Sequence, residues 1–229
     1  MILLDIEGTT TPITFVTETL FPYARTHLPL YLDQQGGTPE ARGTIARLHD
    51  EYDADRAAGE ALPAWSPLPY LTWLMDRDRK SPALKELQGR VWEEGYRNGT
   101  LVGDVFEDVP RALARWRDEG IAVGIYSSGS VRAQQWLFRR SSAGDLTPLL
   151  SWHFDTAVGA KKDSASYARI AGDVNVPPAE IRFVSDVAAE LDAARAAGLQ
   201  TALIVRPGNP TQANTGHPVV TSFDQLDSL

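Results

Sequence analysis

Hydrophobic residues recur at two different spacings along the chain, and the change of spacing divides it into regions. Between residues 17 and 99, apolar positions recur every three or four residues, which is typical of amphipathic helices. The pattern predicts four helices here, over Thr17–Leu32, Pro39–Ala58, Leu68–Arg77 and Ser81–Tyr96. Ser81 followed by Pro82 is a typical helix start, because serine caps free N–H groups and proline fits the first turn.

From residue 104 onward, short apolar runs alternate with helical patterns. The runs predict strands over Ile121–Tyr126, Trp152–Asp155, Ile181–Val184 and Thr201–Val205. The patterns between and around them predict helices over Val109–Glu119, Val131–Arg140, Ser164–Gly172 and Ala188–Ala197, and residues 208–216 read as a loop. Nearly continuous apolar strands separated by helices are typical of a parallel sheet with both faces covered.

The apolar run before Asp5 predicts one more strand, which must join the same sheet because an isolated strand has no other partner. The patterns together predict an α/β fold with a Rossmann-like parallel sheet, interrupted by an all-helical insertion. We expect the α/β core domain to comprise residues 1–16 and 104–229, and the helical domain residues 17–103. The chain has 229 residues, 43% of them hydrophobic, which is enough for a sizeable core.

Composition excludes several classes of function. The chain has no cysteine, so disulfides, thiolate metal sites and cysteine nucleophiles are excluded, and oxygen ligands favour a hard cation. The net charge of −8 disfavours a nucleic-acid surface, although an acidic protein can hold a positive pocket for a small anion. No apolar run approaches the roughly 20 residues of a membrane span, and no signal peptide is evident. We expect a cytoplasmic monomer with neither nucleic-acid nor membrane partners.

Polar side chains follow four of the predicted strands, at the point where each strand ends. They are Asp5 with Glu7, the run Ser127-Ser128-Gly129-Ser130, the pair Lys161 and Lys162, and Ser185 with Asp186. Because the carboxyl ends of parallel strands meet at one edge of a sheet, these groups should converge on one cleft. The four histidines, His27, His49, His153 and His217, lack metal-ligand spacing, so no zinc site is expected.

The carboxylates of this set suit phosphoryl transfer. Asp5 can attack phosphorus as a carboxylate nucleophile. A magnesium ion held between Asp5 and Asp186 would offset the repulsion between the two anions. Glu7 can protonate the leaving oxygen and then take a proton from the water that hydrolyses the intermediate.

The remaining groups suit the binding of a phosphate. Ser127, with the backbone amides around Ser128 and Gly129, can donate hydrogen bonds to phosphoryl oxygens, and Lys161 can hold the remaining negative charge. Each group also has a plain structural explanation. A serine pair before a helix is often a helix cap, a lysine pair is often a solvated loop, and Asp186 could cap the helix that follows it. The order in which the groups occur together favours the functional interpretation.

The same residues resemble the haloacid dehalogenase superfamily of phosphatases, whose first motif is Asp-x-Asp followed by Gly-Thr. Here the motif reads DIEGTT, with Glu7 in place of the second aspartate. The longer stretch LLDIEGTTTPITFV closely resembles the enolase-phosphatases of methionine salvage, or acireductone synthases. The similarity extends over VFEDVPRALARW, GIYSSGSVRAQQWLF, FDTAVGAKKDSASY, FVSDVAAELDAARAAG and VRPGN, whereas residues 17–99 match mainly by position and helical character.

This resemblance implies two reactions at one site on a small phosphorylated diketone, 2,3-diketo-5-methylthiopentyl 1-phosphate. Enolisation would give the enol phosphate, and phosphate removal would give the acireductone. The implied ligands of one Mg²⁺ per subunit are Asp5, which is also the nucleophile, Asp186, and Glu7 through its backbone carbonyl. Ser127, Ser128 and Lys161 would contact the phosphate or substrate. The helical insertion would act as a cap that closes over the methylthio tail.

Three points remain open at this level. The base for enolisation is either Glu7, whose extra methylene gives it reach, or a group from the helical insertion. Glu190, one helical turn beyond Asp186, is either a solvated residue or a support for the metal ligands. Lys162 has no assigned role.

Other functions remain possible for a chain of this fold. It could be a phosphatase for another small ester without enolase activity. It could also be a phosphometabolite sensor without turnover, against which the presence of Asp5, Lys161 and Asp186 argues. Haloalkanoate dehalogenation is disfavoured by the second acidic residue and the metal ligand.

Overall fold

The computed structural model describes residues 1–210, 213 and 216–228. The chain divides into two compact units, one formed by Met1–Val16 with Leu101–Leu229 and the other by Thr17–Thr100. The first unit contains a sheet and helices, and the second contains helices. The role of the second unit as a cap stays a prediction.

The sheet of the first unit has six strands among the described residues. They are β1 (Ile2–Leu4), β2 (Val123–Tyr126), β3 (Trp152–Phe154), β4 (Arg182–Ser185), β5 (Gln200–Ile204) and β6 (Val219–Val220). The order is β3-β2-β1-β4-β5-β6, and every neighbouring pair is parallel. Leu4 of β1 is in register with Ile125 of β2 and Val184 of β4. The predicted Rossmann-like parallel sheet is confirmed, with β1 at its centre.

Eight α-helices lie among the described residues, close to the predicted ranges. They are α1 (Phe21–Gln35), α2 (Pro39–Ala57), α3 (Pro67–Asp76), α4 (Pro82–Asn98), α5 (Asp108–Asp118), α6 (Val131–Arg139), α7 (Ser164–Val174) and α8 (Ala188–Ala196). Short 3₁₀-helices span Thr147–Leu149, Pro178–Glu180 and Phe223–Ser228. No described helix has the length and apolar character needed to cross a membrane.

The first predicted helix begins as a different type of helix. Residues Phe15–Leu20 form a π-helical segment, and the α-helix begins only at Phe21, with Pro22 in its first turn. Pro22 lacks an N–H group, which a first turn tolerates, whereas Pro29 lies inside the same helix and removes one interior hydrogen bond. The predicted start at Ser81 is confirmed, because the Ser81 hydroxyl accepts a hydrogen bond from the amide of Leu84 at 2.9 Å.

Aromatic side chains fill the core beside the central strands. The rings of Tyr126 on β2 and Tyr167 on α7 are 5.4 Å apart and nearly perpendicular, and Tyr167 also packs 5.1 Å from Phe183 on β4. All three side chains are fully buried. Edge-to-face contacts of this kind favour one arrangement of the rings. They therefore fix α7, and the loop before it, against the sheet.

Among the described residues, the chain after β5 has the predicted loop, at residues 208–216, followed by a short strand. Residues 211, 212, 214 and 215 of the predicted loop lie outside the described residues, and its described residues contain no helix or strand. Beyond it, β6 adds a short strand that the sequence pattern did not predict. Two residues are too few to show a period.

Candidate active site

Asp5 lies at the carboxyl end of β1, in the middle of the sheet. Its amide extends the pairing with β4 by donating to Val184 O at 3.0 Å, and its Oδ1 accepts from the amide of Ile6 at 2.7 Å. The residue is 4% exposed. We call residues 5–11 the β1 loop. Within this loop the amides of residues 9, 10 and 11 all donate to Ile6 O, which makes a tight turn directly after the carboxylate.

A buried lysine contacts Asp5. Lys161 Nζ is 2.6 Å from Asp5 Oδ1 and 2.6 Å from Glu190 Oε2, and its side chain is 9% exposed. Burial disfavours the charged ammonium, but the charges of Asp5 and Glu190 outweigh burial and raise the pKa of Lys161. The hydroxyl of Tyr167 donates to Lys161 O at 2.6 Å, so the aromatic core holds this loop. Lys161 is therefore a permanent cation beside the carboxylate.

The two lysines of the sequence pair have different environments. Lys161 is buried between carboxylates, whereas Lys162 is exposed. Asp163, directly after them, caps α7 by accepting from the amide of Ala165 at 3.0 Å. The solvated-loop explanation therefore applies to Lys162 and not to Lys161.

Ser185, at the end of β4, lies between the two carboxylates that contact Lys161. Its hydroxyl is 3.3 Å from Asp5 Oδ2 and 3.2 Å from Glu190 Oε2, and it accepts from the amide of Val187 at 3.1 Å. Ser185 is fully buried. The sequence pattern did not assign it a role. Ser185 therefore links Asp5 to the start of α8.

The predicted phosphate-binding residues form a turn at the end of β2. The Ser127 amide donates to Phe154 O at 3.2 Å, and its hydroxyl accepts from the amide of Gly129 at 3.2 Å. Ser127 is buried and Ser128 is exposed. The helix cap is Ser130, which accepts from the amide of residue 133 at 3.3 Å. The capping explanation therefore does not account for Ser127 or Ser128.

Asp186 follows β4 directly and approaches the backbone of the β1 loop. A Cβ atom added to Gly8 would lie 2.3 Å from Asp186 Oδ2, and Gly8 has φ of +69°. Only glycine permits both this close approach and this backbone conformation without strain. The close approach brings the loop after β1 and the carboxylate after β4 into one site.

Lys161 contacts the carboxylates of Asp5 and Glu190, and two further carboxylates, Glu7 and Asp186, lie close enough to interact with it electrostatically. Burial, with the charges of Asp5 and Glu190, raises the pKa of Asp186 to about 7. Glu7 has an exposed side chain, yet desolvation by the surrounding protein, with the charge of Asp5, raises the pKa of its carboxyl to about 7. One ammonium group thus leaves an excess of negative charge. An excess of negative charge on oxygen atoms favours a divalent cation such as Mg²⁺.

The predicted metal ligands are oxygen atoms and include no histidine. Among the described residues, no group of three His, Cys, Asp or Glu residues is placed to hold a metal ion. The predicted set needs only two carboxylates, from Asp5 and Asp186, with the backbone carbonyl of Glu7. The histidines contact other groups, such as Tyr23 for His27, Trp65 for His49, Gln134 for His153, and Thr201 for His217.

The structure thus brings Asp5, Lys161 and Asp186 together, and adds Ser185 and Glu190. Glu190 is buried and paired with Lys161, which differs from a solvated helix residue. In the sequence, its position one helical turn after Asp186 was the feature that indicated a role for Glu190 at the site. The roles of these residues stay predictions.

Residues 1–198 match the model of the haloacid dehalogenase-like hydrolases, whose fold this chain shares. The chain is 50% identical to the enolase-phosphatase E1 of Synechococcus elongatus and 47% identical to that of Pseudomonas aeruginosa. Each alignment covers 98% of this chain and 96% of the relative. The structure of the UTR4 protein of Saccharomyces cerevisiae superposes with a TM-score of 0.79, at 34% identity and 98% coverage of both chains. The chain therefore belongs to the enolase-phosphatase E1 family of these hydrolases.

Proposed function

We propose that this enzyme converts 2,3-diketo-5-methylthiopentyl 1-phosphate, first to its enol phosphate and then to the acireductone 1,2-dihydroxy-3-keto-5-methylthiopentene and phosphate, in methionine salvage. Similarity to enolase-phosphatases over nearly the full length supports both reactions. In the structure, the observation that supports it best is the buried contact of Asp5 with Lys161 at the centre of the sheet. A carboxylate fixed and charged in this way is suited to attack phosphorus.

Phosphoryl transfer begins with attack by Asp5. Asp5 Oδ1 is held by Lys161 at 2.6 Å and by the amide of Ile6 at 2.7 Å, whereas Oδ2 has only the longer contact with Ser185. Oδ2 is therefore the freer nucleophile. It forms a bond to phosphorus as the bond from phosphorus to the substrate oxygen breaks, which gives an aspartyl-phosphate. Water then hydrolyses this intermediate and restores the carboxylate.

The transferred phosphoryl group carries negative charge, which the site must offset. Lys161 supplies one positive charge without needing to move, because Asp5 and Glu190 already hold it in place. The turn at Ser127, Ser128 and Gly129 supplies the hydroxyl donors of its two serines at the adjacent strand end. Donors placed before the reaction cost no reorganisation when charge develops.

Magnesium is the cofactor that fits this site. Asp5, Asp186 and the carbonyl of Glu7 would hold one ion, since Mg²⁺ takes few protein carboxylates and keeps several waters. When bound, it would supply positive charge beside the phosphate and polarise the carbonyl groups of the substrate.

Glu7 is the proposed acid and base for both reactions. Its pKa of about 7 allows the carboxyl both to accept and to donate protons near neutral pH, and the residue is exposed. In enolisation it would take the proton from the carbon next to a carbonyl. In phosphate release it would give a proton to the leaving oxygen and then take one from water. The helical unit would close over the substrate and exclude bulk water.

The Glu7→Gln variant is expected to lose enolisation by about 10²-fold or more, because glutamine cannot accept the proton. The enol ultraviolet band is the measurement, with Glu119→Gln as a control that makes the same change at an exposed residue after α5. Full enolisation by the Glu7 variant would exclude it as the base and favour a group from the helical unit.

The function is tested by incubating the purified protein with Mg²⁺ and the diketone phosphate. The enol band and released phosphate are followed together. We expect the enol signal to appear before phosphate. Hydrolysis of other phosphate esters without any enol signal would instead identify a phosphatase that lacks the first reaction.

A further inference from the structure

The chain after β5 contacts the β1 loop at two successive backbone carbonyls. We call residues 205–209 the post-β5 segment. Arg206 Nε donates to Thr9 O at 3.0 Å, and Asn209 Nδ2 donates to Gly8 O at 2.8 Å. The bonded residues are 197 and 201 positions apart in the sequence, so these contacts depend on the tertiary fold. They join the edge of the functional site to a segment without an assigned role.

These carbonyls are bound from outside the loop. Inside the loop, three successive amides donate to Ile6 O, and the Gly8 amide donates to Thr11 O at 2.8 Å. Gly8 O and Thr9 O accept from the post-β5 segment, and Thr10 O accepts from the amide of Phe106 at 3.0 Å. Three consecutive peptide groups are therefore fixed. A buried carbonyl left without a donor costs free energy, so each of these bonds favours this one loop conformation.

Gly8 is held between two side chains. A Cβ atom at this position would lie 2.3 Å from Asp186 Oδ2 and 3.1 Å from Asn209 Nδ2. The Asn209 amide thus contacts the same backbone unit that approaches the Asp186 carboxylate. Loss of the Asn209 donor would free Gly8 to move relative to Asp186.

Arg206 is itself immobilised. Its Nη1 pairs with Asp108 Oδ2 at 2.9 Å, and both side chains are buried. The guanidinium lies over the ring of Phe106 at 4.4 Å and over that of Phe223 at 4.8 Å. Asp108 Oδ2 also accepts from the amide of Phe223 at 2.6 Å. An arginine fixed on this many sides is a rigid donor to the Thr9 carbonyl.

We propose that Arg206 and Asn209 are positioning residues for the reaction. By fixing the carbonyls of Thr9 and Gly8 they hold the β1 loop, and with it Asp5 and Glu7, at a set distance from Asp186. Neither residue needs to touch the substrate. Displacement of a reacting group by about 1 Å can cost about 10²-fold in rate. The proposal rests on the proposed function of this site.

The principal test is Asn209→Leu, which keeps the approximate shape of the side chain and removes the N–H donor. We expect kcat of the folded variant to fall at least tenfold, with KM within about threefold of the unaltered enzyme. A merely structural role would lower the urea midpoint and leave kcat of the folded enzyme unchanged.

Arg206→Lys is the second variant, because lysine keeps the positive charge beside Asp108 and gives up the Nε donor to Thr9. The same fall in kcat is expected. Gln135→Leu is the control, since it also replaces a side-chain amide by leucine, at an exposed position on α6, and it should match the unaltered enzyme. If the arginine variant does not fold, the Asn209 variant decides the result.

Each protein is assayed with Mg²⁺ on both the diketone phosphate and p-nitrophenyl phosphate. Activity of the unaltered protein on the aryl ester alone would contradict the proposed function, while kcat on that ester would still test the positioning. Unchanged kcat in folded Asn209→Leu would overturn the proposal. A rise in KM with unchanged kcat would also overturn it, since it would indicate a role in binding.

Discussion

Phosphate release by the Asp5→Asn variant is expected to fall by about 10⁴-fold or more, as for the loss of a nucleophile. Asparagine has the shape of aspartate, so the loop and the contact with the Ile6 amide can persist. Its amide, however, is a poor nucleophile and cannot form the aspartyl-phosphate. The measurement is single-turnover release of phosphate from the diketone phosphate. Phosphate bound covalently to the protein is recorded in parallel.

The control for this variant is Asp173→Asn, which makes the same change of charge at an exposed position on α7. It should retain full activity. Phosphate release by Asp5→Asn at more than a tenth of the normal rate would show that another group attacks phosphorus.

Replacement of Lys161 by methionine is expected to reduce both activity and stability. The variant loses the cation beside the transferred phosphoryl group, which should lower kcat by about 10²- to 10³-fold. It also leaves Asp5 and Glu190 buried and facing each other without their shared partner. Removal of one member of a buried ion pair typically costs about 3–5 kcal/mol of unfolding free energy. Urea unfolding at neutral pH measures the stability change.

Lys162→Met is the matched control, because the adjacent lysine is exposed. The change in side chain and net charge is the same, and we expect an effect within about 0.5 kcal/mol and normal kcat. Similar losses in the two variants would show that the buried contacts of Lys161 are unimportant. Because both variants replace a lysine by methionine, any difference between them results from the buried position of Lys161.

The sequence predicts the sheet and the general place of the site because both depend on local pattern. Periodicity identifies β2, β4 and their neighbouring helices, and the polar residues at strand ends indicate Asp5, Lys161 and Asp186. Parallel pairing then requires that these residues meet at one edge. The family resemblance is also confirmed, over almost the whole chain.

The contacts of side chains with distant backbone could not be predicted in this way. Ser185 lies between Asp5 and Glu190, and Asn209 bonds to Gly8, only because separate strands and loops come together in the fold. The sequence assigns Lys161 and not Lys162 to the phosphate, but the difference in burial between the two lysines is visible only in the fold. These features depend on tertiary packing, which cannot be predicted from the pattern of neighbouring residues.

The central place of β1 has a consequence for how the chain folds. Leu4 pairs with Ile125 and Val184, so the middle of the sheet forms only through contacts of very large sequence separation. Such contacts have a high cost in loop-closure entropy and slow the folding reaction. Thr17–Thr100, in contrast, is one continuous segment whose helices can pack during synthesis, before β2 and β4 have been made. We therefore expect the nucleophile to reach its partners in a late step of folding, after the helical segment has already collapsed.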